Sequence, residues 1–437
     1  MSDKFDLVVL GGGPGGYVAA IRAAQLGAKV ALIEKDKVGG TCLNRGCIPT
    51  KALIACTNLF DKIKKADNYG ISTGAVSLDL KKAVERKDQI VAKVVKGVEF
   101  LLEKNKVEII SGTGSVQAPG LIKVGSRDVQ SRAIILATGS TPACLPGLSF
   151  DQQKFLSSDD ALNLAEVPAK LNIVGGGVIG IHFAMIYSSL GTEVTIYEAL
   201  PDILAGIDEE VVGLVKRVLG RRKVKILTGT KFDPSSSGDK TLICVGRTPS
   251  LMGTENLKLK TNGKSVAVNE RLETSVKGVY AVGDLVSSKM LAHVAYEQGM
   301  IAAENALGGK KTFSYDNIPI GIYTTPEIGS VGLTEKEAKD RHKEIKVGKF
   351  NYAALGIAQA LGEIEGFIKV IGDEKGNILG VHIIGAEATT LIGIAVSALK
   401  NKLTVDQLAG TFQSHPSYPE GLQEAALASL KKGLHSI

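Results

Sequence analysis

The chain lacks long apolar runs. No uninterrupted stretch reaches the roughly 18 residues that a membrane-spanning helix needs, so no span is expected. Its opening, MSDKFDLVVLGGG, has no basic leading segment and no small-residue cleavage site. The apolar residues there read as a buried strand running into a glycine turn, not as a signal peptide, and the expected compartment is the cytoplasm. Basic runs interleaved with aromatics are missing too, which argues against nucleic acid. The net charge of +7 comes from 52 Lys and Arg mixed with 45 Asp and Glu. That is the pattern of a solvated surface, with at most a mild attraction for acidic cofactors or an acidic partner. Cysteine is scarce, with only Cys42, Cys47, Cys56, Cys144 and Cys244. An odd, sparse set excludes a secreted disulfide framework. The C-x4-C spacing of Cys42 and Cys47, without a Cys/His cluster, does not suit zinc, and no metal site is expected.

What remains is a globular chain of 437 residues, 44% hydrophobic, long enough for several domains. Residues 5–35 (FDLVVLGGGPGGYVAAIRAAQLGAKVALIEK) and 171–199 (LNIVGGGVIGIHFAMIYSSLGTEVTIYEA) are alike. Each carries an apolar strand, a glycine-rich turn, an apolar-periodic helix ending at Leu-Gly, and a second strand ending in glutamate. This is one βαβ unit used twice, and two copies are far stronger evidence than a lone G-x-G-x-x-G. Between and after them, residues 79–104 predict a helix, 133–138 a buried strand, and 141–146, with two prolines, a crossing between domains. Further strands are expected over 223–227, 241–245 and 279–282, with the loop DPSSSGDK between the first two. From Ile318 the strands IGIYTT, FIKVI and ILGVHII alternate with helices over 335–342 and 388–403, an α+β pattern. The fold class is α/β, with two Rossmann-like dinucleotide-binding domains followed by this α+β domain.

Gly11, Gly13 and Gly16 occupy the fingerprint positions of the first repeat, and Glu34 the ribose position. Their roles are a tight turn, backbone approach to a pyrophosphate, and close helix packing. The phosphates then face a helix N-terminus. Gly175, Gly177, Gly180 and Glu198 repeat the arrangement, and a carboxylate at Glu198 favours NAD over NADP. Cys42 and Cys47 follow the first unit directly. Four intervening residues as one helical turn bring the sulfurs into bonding range, and Cys47 near a helix start, with Pro49 close by, favours a thiolate. In a reducing compartment such a pair is more often catalytic than structural. A flavin between nicotinamide and disulfide exchanges electrons with both, so the pair and the first turn together point to an FAD-dependent disulfide oxidoreductase. Cys56, Cys144 and Cys244 read as small buried hydrophobes. His382 alternates within a strand and reads as exposed.

The run GGTCLNRGCIPTK, with GGGPGG, LATGS, GGGVIG and YAVGD, closely resembles the dihydrolipoamide dehydrogenases, the lipoamide-specific branch of the pyridine nucleotide–disulfide oxidoreductases. The resemblance covers residues 5–426. TTPEIGSVGLTE resembles the start of that family's dimerisation domain, and FQSHPSYPEG its C-terminal catalytic segment. It implies an FAD-binding domain over 1–145, an NAD-binding domain over 146–268, a further FAD-binding part over 269–315 and a dimerisation domain over 316–437. It implies a homodimer that oxidises dihydrolipoamide with NAD⁺, served by a lipoylated carrier domain of a 2-oxo acid dehydrogenase complex or the glycine cleavage system. Cys42 would be the interchange thiol, Cys47 the thiol against the flavin, and Lys51 a neighbour of flavin N5. Gly114, Ser140, Asp284 and Ala292 would complete the FAD site, and Phe232 and Gly246 the NAD site. His415 would be the acid/base acting in the other subunit. Glu420 would orient it, a pairing that the need for a proton acceptor in thiol–disulfide exchange independently supports.

The chain departs from the family in three places. His182 stands where a glutamate usually pairs with the lysine matching Lys51. DPSSSGDK replaces a β-meander of the NAD domain. HPSYPE replaces HPTLSE, so that Pro419 is expected to alter the turn between His415 and Glu420. The alternatives are a sister reductase acting on glutathione or mercuric ion, and a weakly active flavoprotein with an assembly or binding role. Glu198 and the lack of a C-terminal cysteine pair count against the first.

Overall fold

The structure is a computed structural model that describes residues 3–236, 240–287 and 289–435. The chain divides into two compact units. The first contains residues up to Cys56, Ser77–Glu166 and Ile243–Ser314; the second contains Thr57–Val76, Val167–Leu242 and the chain from Tyr315 onward.

The sheet of the first unit begins with the parallel strands Glu108–Ser111, Val30–Glu34, Asp3–Leu10 and Arg127–Leu136, in that order. Val279–Ala281 adds in parallel to the end of Arg127–Leu136. Successive strand residues point to opposite faces. Leu7, Val9, Leu32 and Ile135 therefore enter one core with the helices Pro14–Gln25 and Ala292–Ala306. Val8, Leu10, Ile33, Ile134 and Leu136 enter another on the far face. Both faces are covered, which is why LVVL, VALI and AIIL are continuous apolar runs. Each such side chain contributes about 1.5–3 kcal/mol on burial. The far core is closed by Gly114–Ala118 and Leu121–Val124, an antiparallel hairpin joined to Arg127–Leu136 that the sequence reading did not anticipate. The helix expected over 79–104 is Leu80–Lys104, and Asp79 caps it by accepting from Lys82 N–H at 3.2 Å. The proline-bearing crossing forms a short strand, Ser140–Pro142, antiparallel to Arg247–Pro249.

In the second unit Lys225–Leu227, Glu193–Tyr197 and Lys170–Val174 run parallel, with Lys240–Ile243 on the other side of Lys170–Val174. Between Leu227 and Lys240 the described residues contain one 3-10 turn, Pro234–Ser236, and no strand. Residues 237–239 of the DPSSSGDK loop lie outside the described residues. The C-terminal part is an antiparallel sheet in the order Ile320–Ile322, Glu327–Gly332, Ile378–Gly385, Phe367–Asp373, Ile345–Asn351. The helices Ala388–Lys400 and Pro419–Ser429 pack on it. Glu327–Gly332 and Ile345–Asn351 were not expected, because EIGSVG has two glycines and IKVGKFN is short and half polar.

A buried ion cluster fixes this part to the helix Glu209–Arg221. Lys369 is 1% exposed and its Nζ lies 2.8, 2.7 and 2.8 Å from the carboxylates of Asp208, Glu210 and Glu335. Burial alone would drive the ammonium toward neutrality, but the three carboxylates overcome it and raise the lysine's proton affinity. His382 is buried, not exposed as the alternation suggested. Its Nδ1 meets Ser330 Oγ at 3.1 Å and its Nε2 the Leu333 carbonyl at 2.9 Å.

Candidate active site

The first glycine turn follows from its contacts. Gly11 has φ +103°, and a Cβ on Gly16 would fall 1.8 Å from the Gly11 carbonyl oxygen, so a side chain at Gly16 is excluded. Gly13 is the N-cap of Pro14–Gln25 and offers no side chain, which leaves the first-turn N–H groups to a ligand. Glu34 is held from both sides: Gly12 N–H donates to Oε2 at 2.6 Å and Asp36 N–H to Oε1 at 2.8 Å. Gly114 packs on Leu10 and Ile33 at the ends of their strands. Ala292 is the first residue of Ala292–Ala306, a second helix start without a side-chain cap. Two uncapped helix starts, a carboxylate oriented by amides and a glycine cradle fit a dinucleotide such as FAD.

The cysteines sit on two consecutive helices, Gly40–Arg45 and Cys47–Ile63. One continuous turn was expected; instead Gly46, at φ −139° and ψ −105°, breaks the helix between them. The break makes Cys47 the first residue of its own helix. Their side chains are hydrogen-bonded to each other. That shared bond separates them. It raises Cys42, with burial acting the same way. It lowers Cys47 to about 7, against burial and with help from the Lys51 ammonium. Burial in turn lowers Lys51, opposed by the negative charge of the sulfurs. Gly40 touches the FAD-type turn directly, since a Cβ on it would lie 2.6 Å from the Cα of Gly13.

Ser140 Oγ donates to Asp284 Oδ2, and both meet Arg247. Arg247 Nε donates to Ser140 Oγ at 2.7 Å and its Nη2 to the Ser140 carbonyl at 2.8 Å. Nη2 also reaches Thr41 Oγ1 at 3.3 Å, beside Cys42. Sequence reasoning passed over Arg247, although the run VGRTP, which pairs a positive-φ glycine with a crossing strand, was a usable signal. It also passed over Tyr17 and Tyr296, whose hydroxyls lie 3.1 Å apart.

The second turn repeats the first bond for bond. Gly177 is an uncapped N-cap, Gly180 is buried in the helix, and Gly175 has φ +110°. Gly176 N–H donates to Glu198 Oε2 at 2.6 Å and Leu200 N–H to Oε1 at 2.8 Å. No atom lies within 4 Å of a Cβ placed on Gly177, so space for a second dinucleotide is open. Phe232 packs edge-on against Tyr197 at 5.2 Å. Gly246 belongs to the first unit, where its carbonyl accepts from Ala143 N–H at 3.0 Å. His182 is buried, and its Nε2 accepts from Tyr323 N–H at 3.0 Å.

In the C-terminal segment His415 Nδ1 lies 2.7 Å from Glu420 Oε1, and Ser417 N–H donates to Oε2 at 2.7 Å. Burial pushes the Glu420 carboxyl up, but these two hydrogen bonds outweigh it and hold the group ionised. Pro419 starts the helix Pro419–Ser429, where a missing N–H costs nothing, so the substitution preserves the His–Glu spacing. The His415 side chain is 77% exposed. The three remaining cysteines are half-buried, not buried as expected. Among the described residues, His342, Asp373 and Glu374 have metal-ligand spacing, but Asp373 is occupied by Lys375 and Asn377. No helix of the described residues is long and apolar enough to cross a membrane.

Residues 5–299 match the pyridine nucleotide-disulphide oxidoreductase family, and residues 318–426 match its dimerisation domain. The chain is 41% identical to the dihydrolipoyl dehydrogenase of Thermus scotoductus, over 99% of each chain. It is 37% identical to a dihydrolipoyl dehydrogenase of Bacillus subtilis, over the whole of both. Among solved structures, LpdA from Mycobacterium tuberculosis superimposes with a TM-score of 0.88 at 26% identity, covering 97% of this chain and 99% of that one. With a glycine cradle and a polarised cysteine pair in one unit, a second cradle in the other, and these full-length relatives, the chain belongs to the pyridine nucleotide-disulphide oxidoreductase family, among the dihydrolipoyl dehydrogenases.

Proposed function

We propose that the chain oxidises dihydrolipoamide carried on a lipoylated protein domain and reduces NAD⁺, as a cytoplasmic homodimer. The match to a dimerisation domain supports the dimer. The observation that carries the reading is the cysteine pair, on two consecutive helices with Cys47 at a helix start, packed against the first glycine turn. In this reading residues 1–145 and 269–315 bind FAD, 146–268 bind NAD, and 316–437 form the dimer.

Gly11, Gly13 and Gly16 hold the FAD pyrophosphate, Glu34 its ribose, and Gly114, Ser140, Asp284 and Ala292 the rest of the molecule. Gly175, Gly177, Gly180, Glu198 and Phe232 hold NAD. Bound FAD supplies the two-electron chemistry between the dithiol and the nicotinamide. The residues of the chain do the rest. His415 of the partner subunit, held in one tautomer by Glu420, takes a proton from the dihydrolipoyl thiol. The resulting thiolate attacks Cys42 Sγ of the oxidised pair. The Cys42–Cys47 bond breaks, and Cys47 leaves as a thiolate stabilised by Lys51 and its helix N-terminus. The second lipoyl sulfur attacks the first, lipoamide is released as the disulfide, and Cys42 departs and takes up a proton. The electron pair left on Cys47 ends on NAD⁺, Cys42 gives up its proton and the Cys42–Cys47 bond re-forms, so that dihydrolipoamide and NAD⁺ become lipoamide, NADH and a proton.

The test is steady-state turnover of the holoenzyme with dihydrolipoamide and NAD⁺, beside glutathione disulfide or mercuric ion with NADPH. Turnover confined to the first pair is expected. Faster turnover with either of the others would replace the reading with a sister reductase.

A further inference from the structure

The two glycine turns are held by loops that lead to different places. In the first, the Gly12 carbonyl accepts from Gly39 N–H at 2.7 Å, and the chain runs on into the cysteine helix Gly40–Arg45. In the second, the Gly176 carbonyl accepts from Leu204 N–H at 2.9 Å, and the chain runs on to Asp208 and the buried ion cluster. Gly39 has φ +93°, which glycine adopts freely. Leu204 has φ +50°, which a leucine keeps only where its surroundings impose it. Residues 200–207 are held at both ends. At the turn, Leu200 N–H donates to Glu198 Oε1 at 2.8 Å, and a Cβ on Gly176 would lie 2.6 Å from Ile203 Cγ2. At the far end, Ile207 N–H donates to the Leu204 carbonyl at 3.0 Å, directly before Asp208, the N-cap of Glu209–Arg221.

Asp208 is 2% exposed. Its Oδ1 accepts from Lys369 Nζ at 2.8 Å and from Glu210 N–H at 3.2 Å, and its Oδ2 from Glu335 N–H at 3.2 Å. Glu210 and Glu335 each have a second lysine, Lys349 at 2.9 Å and Lys339 at 2.7 Å. Among the described residues, Lys369 is the one ion-pair partner of Asp208. A buried carboxylate stripped of its counter-charge must take up a proton or move to water, and either releases the loop that it anchors. We propose that Lys369 is a positioning residue for the nicotinamide dinucleotide: from the sheet that matches the dimerisation domain it holds Asp208, and through residues 200–207 it fixes the second glycine turn and the carboxylate of Glu198. This rests on the assignment of that turn to NAD.

The experiment is a calorimetric titration of the oxidised holoenzyme with NAD⁺, well below the melting temperature. Beside it runs the rate at which dihydrolipoamide alone raises the long-wavelength absorbance. In Lys369→Met the Kd for NAD⁺ is expected to rise about tenfold, while that rate stays at the wild-type value. An unchanged Kd overturns the proposal even where the melting temperature falls. Equal loss in both readouts also overturns it, as the mark of a general loosening. Because Lys369 acts through Asp208, Asp208→Ala is expected to weaken NAD⁺ to a similar degree, and the double variant to weaken it no further. A further loss in the double variant counts against the proposal. Should Lys369→Met fail to fold, Asp208→Ala carries the test, since a Kd unchanged by it would leave Lys369 nothing to act through. Glu198→Ala separates the two ways of failing. If it leaves NAD⁺ binding intact, the assignment of the turn falls and the proposal with it; if it weakens binding where Lys369→Met does not, the proposal falls alone.

Discussion

The helices Pro14–Gln25 and Val178–Ser189 start from the same glycine turn and are both 12 residues long, yet they meet different surroundings. In the first, Gly15, Gly16, Ala19, Ala20 and Ala23 form one small-residue face that is buried, while Tyr17 and Arg22 remain half-exposed. In the second, every residue from Gly180 to Tyr187 is buried, and an ionisable one, His182, is carried inside to meet a backbone N–H. The fingerprint thus sets the turn and its carboxylate, Glu34 or Glu198, to the same distances in both copies. What the helix beyond the turn does is decided by partners far away in sequence. Only the first copy carries a cysteine pair against its turn.

The largest effect comes from a methyl group placed at the third glycine of the first turn, set against one at the second glycine of the other. Gly16→Ala sets a Cβ 1.8 Å from the Gly11 carbonyl oxygen. The turn must open at a cost of about 1–3 kcal/mol or more, and colourless, flavin-free protein is expected. Gly177→Ala meets no atom within 4 Å at an ordinary φ of −76°, so yellow, folded protein with a raised KM for NADH is expected. Absorbance at the flavin band and thermal denaturation distinguish the two, and equal damage from both would contradict the contacts given for these two glycines.

A smaller effect tests the carboxylates. Glu198→Gln should narrow the preference for NADH over NADPH by about tenfold, about 1.4 kcal/mol, by removing a charge that opposes the 2′-phosphate. Glu34→Gln should leave that preference alone and loosen FAD instead. A change of nicotinamide preference in the Glu34 variant would show that the two turns have been assigned the wrong cofactors.

The smallest effect is a titration. Cys47 is held near 7, mainly by its bond from Cys42 and then by Lys51. In the two-electron-reduced holoenzyme the long-wavelength absorbance of its thiolate against the flavin should therefore grow as pH rises through about 7. Lys51→Met removes a positive neighbour and should move that midpoint upward. A band that is flat across this range, or a midpoint that falls in the variant, would contradict the electrostatic account.

Much of this was legible in the sequence because it rests on local rules. The glycine turns, their glutamates and the buried parallel strands follow from backbone geometry and from two-sided burial, and His415–Glu420 from the resemblance of the C-terminal segment. What escaped depends on distant contacts. Gly46 breaks the cysteine helix where spacing alone suggested one turn. His382 looks exposed by alternation, yet both faces of its strand are covered. Arg247 binds Ser140 only because two crossing strands pair, and Tyr17 meets Tyr296 only because two helices cross at glycines. Pro419 looked disruptive until it proved to be a helix start.

The central claim is that electrons travel from dihydrolipoamide through Cys47 to NAD⁺. It is tested most directly by mixing oxidised holoenzyme anaerobically with dihydrolipoamide and following the long-wavelength absorbance, then adding NAD⁺. In wild type the band should rise, then fall as an equivalent amount of NADH forms. In Cys47→Ser neither change should occur. Formation of the band and of NADH in the Cys47→Ser enzyme would contradict the account.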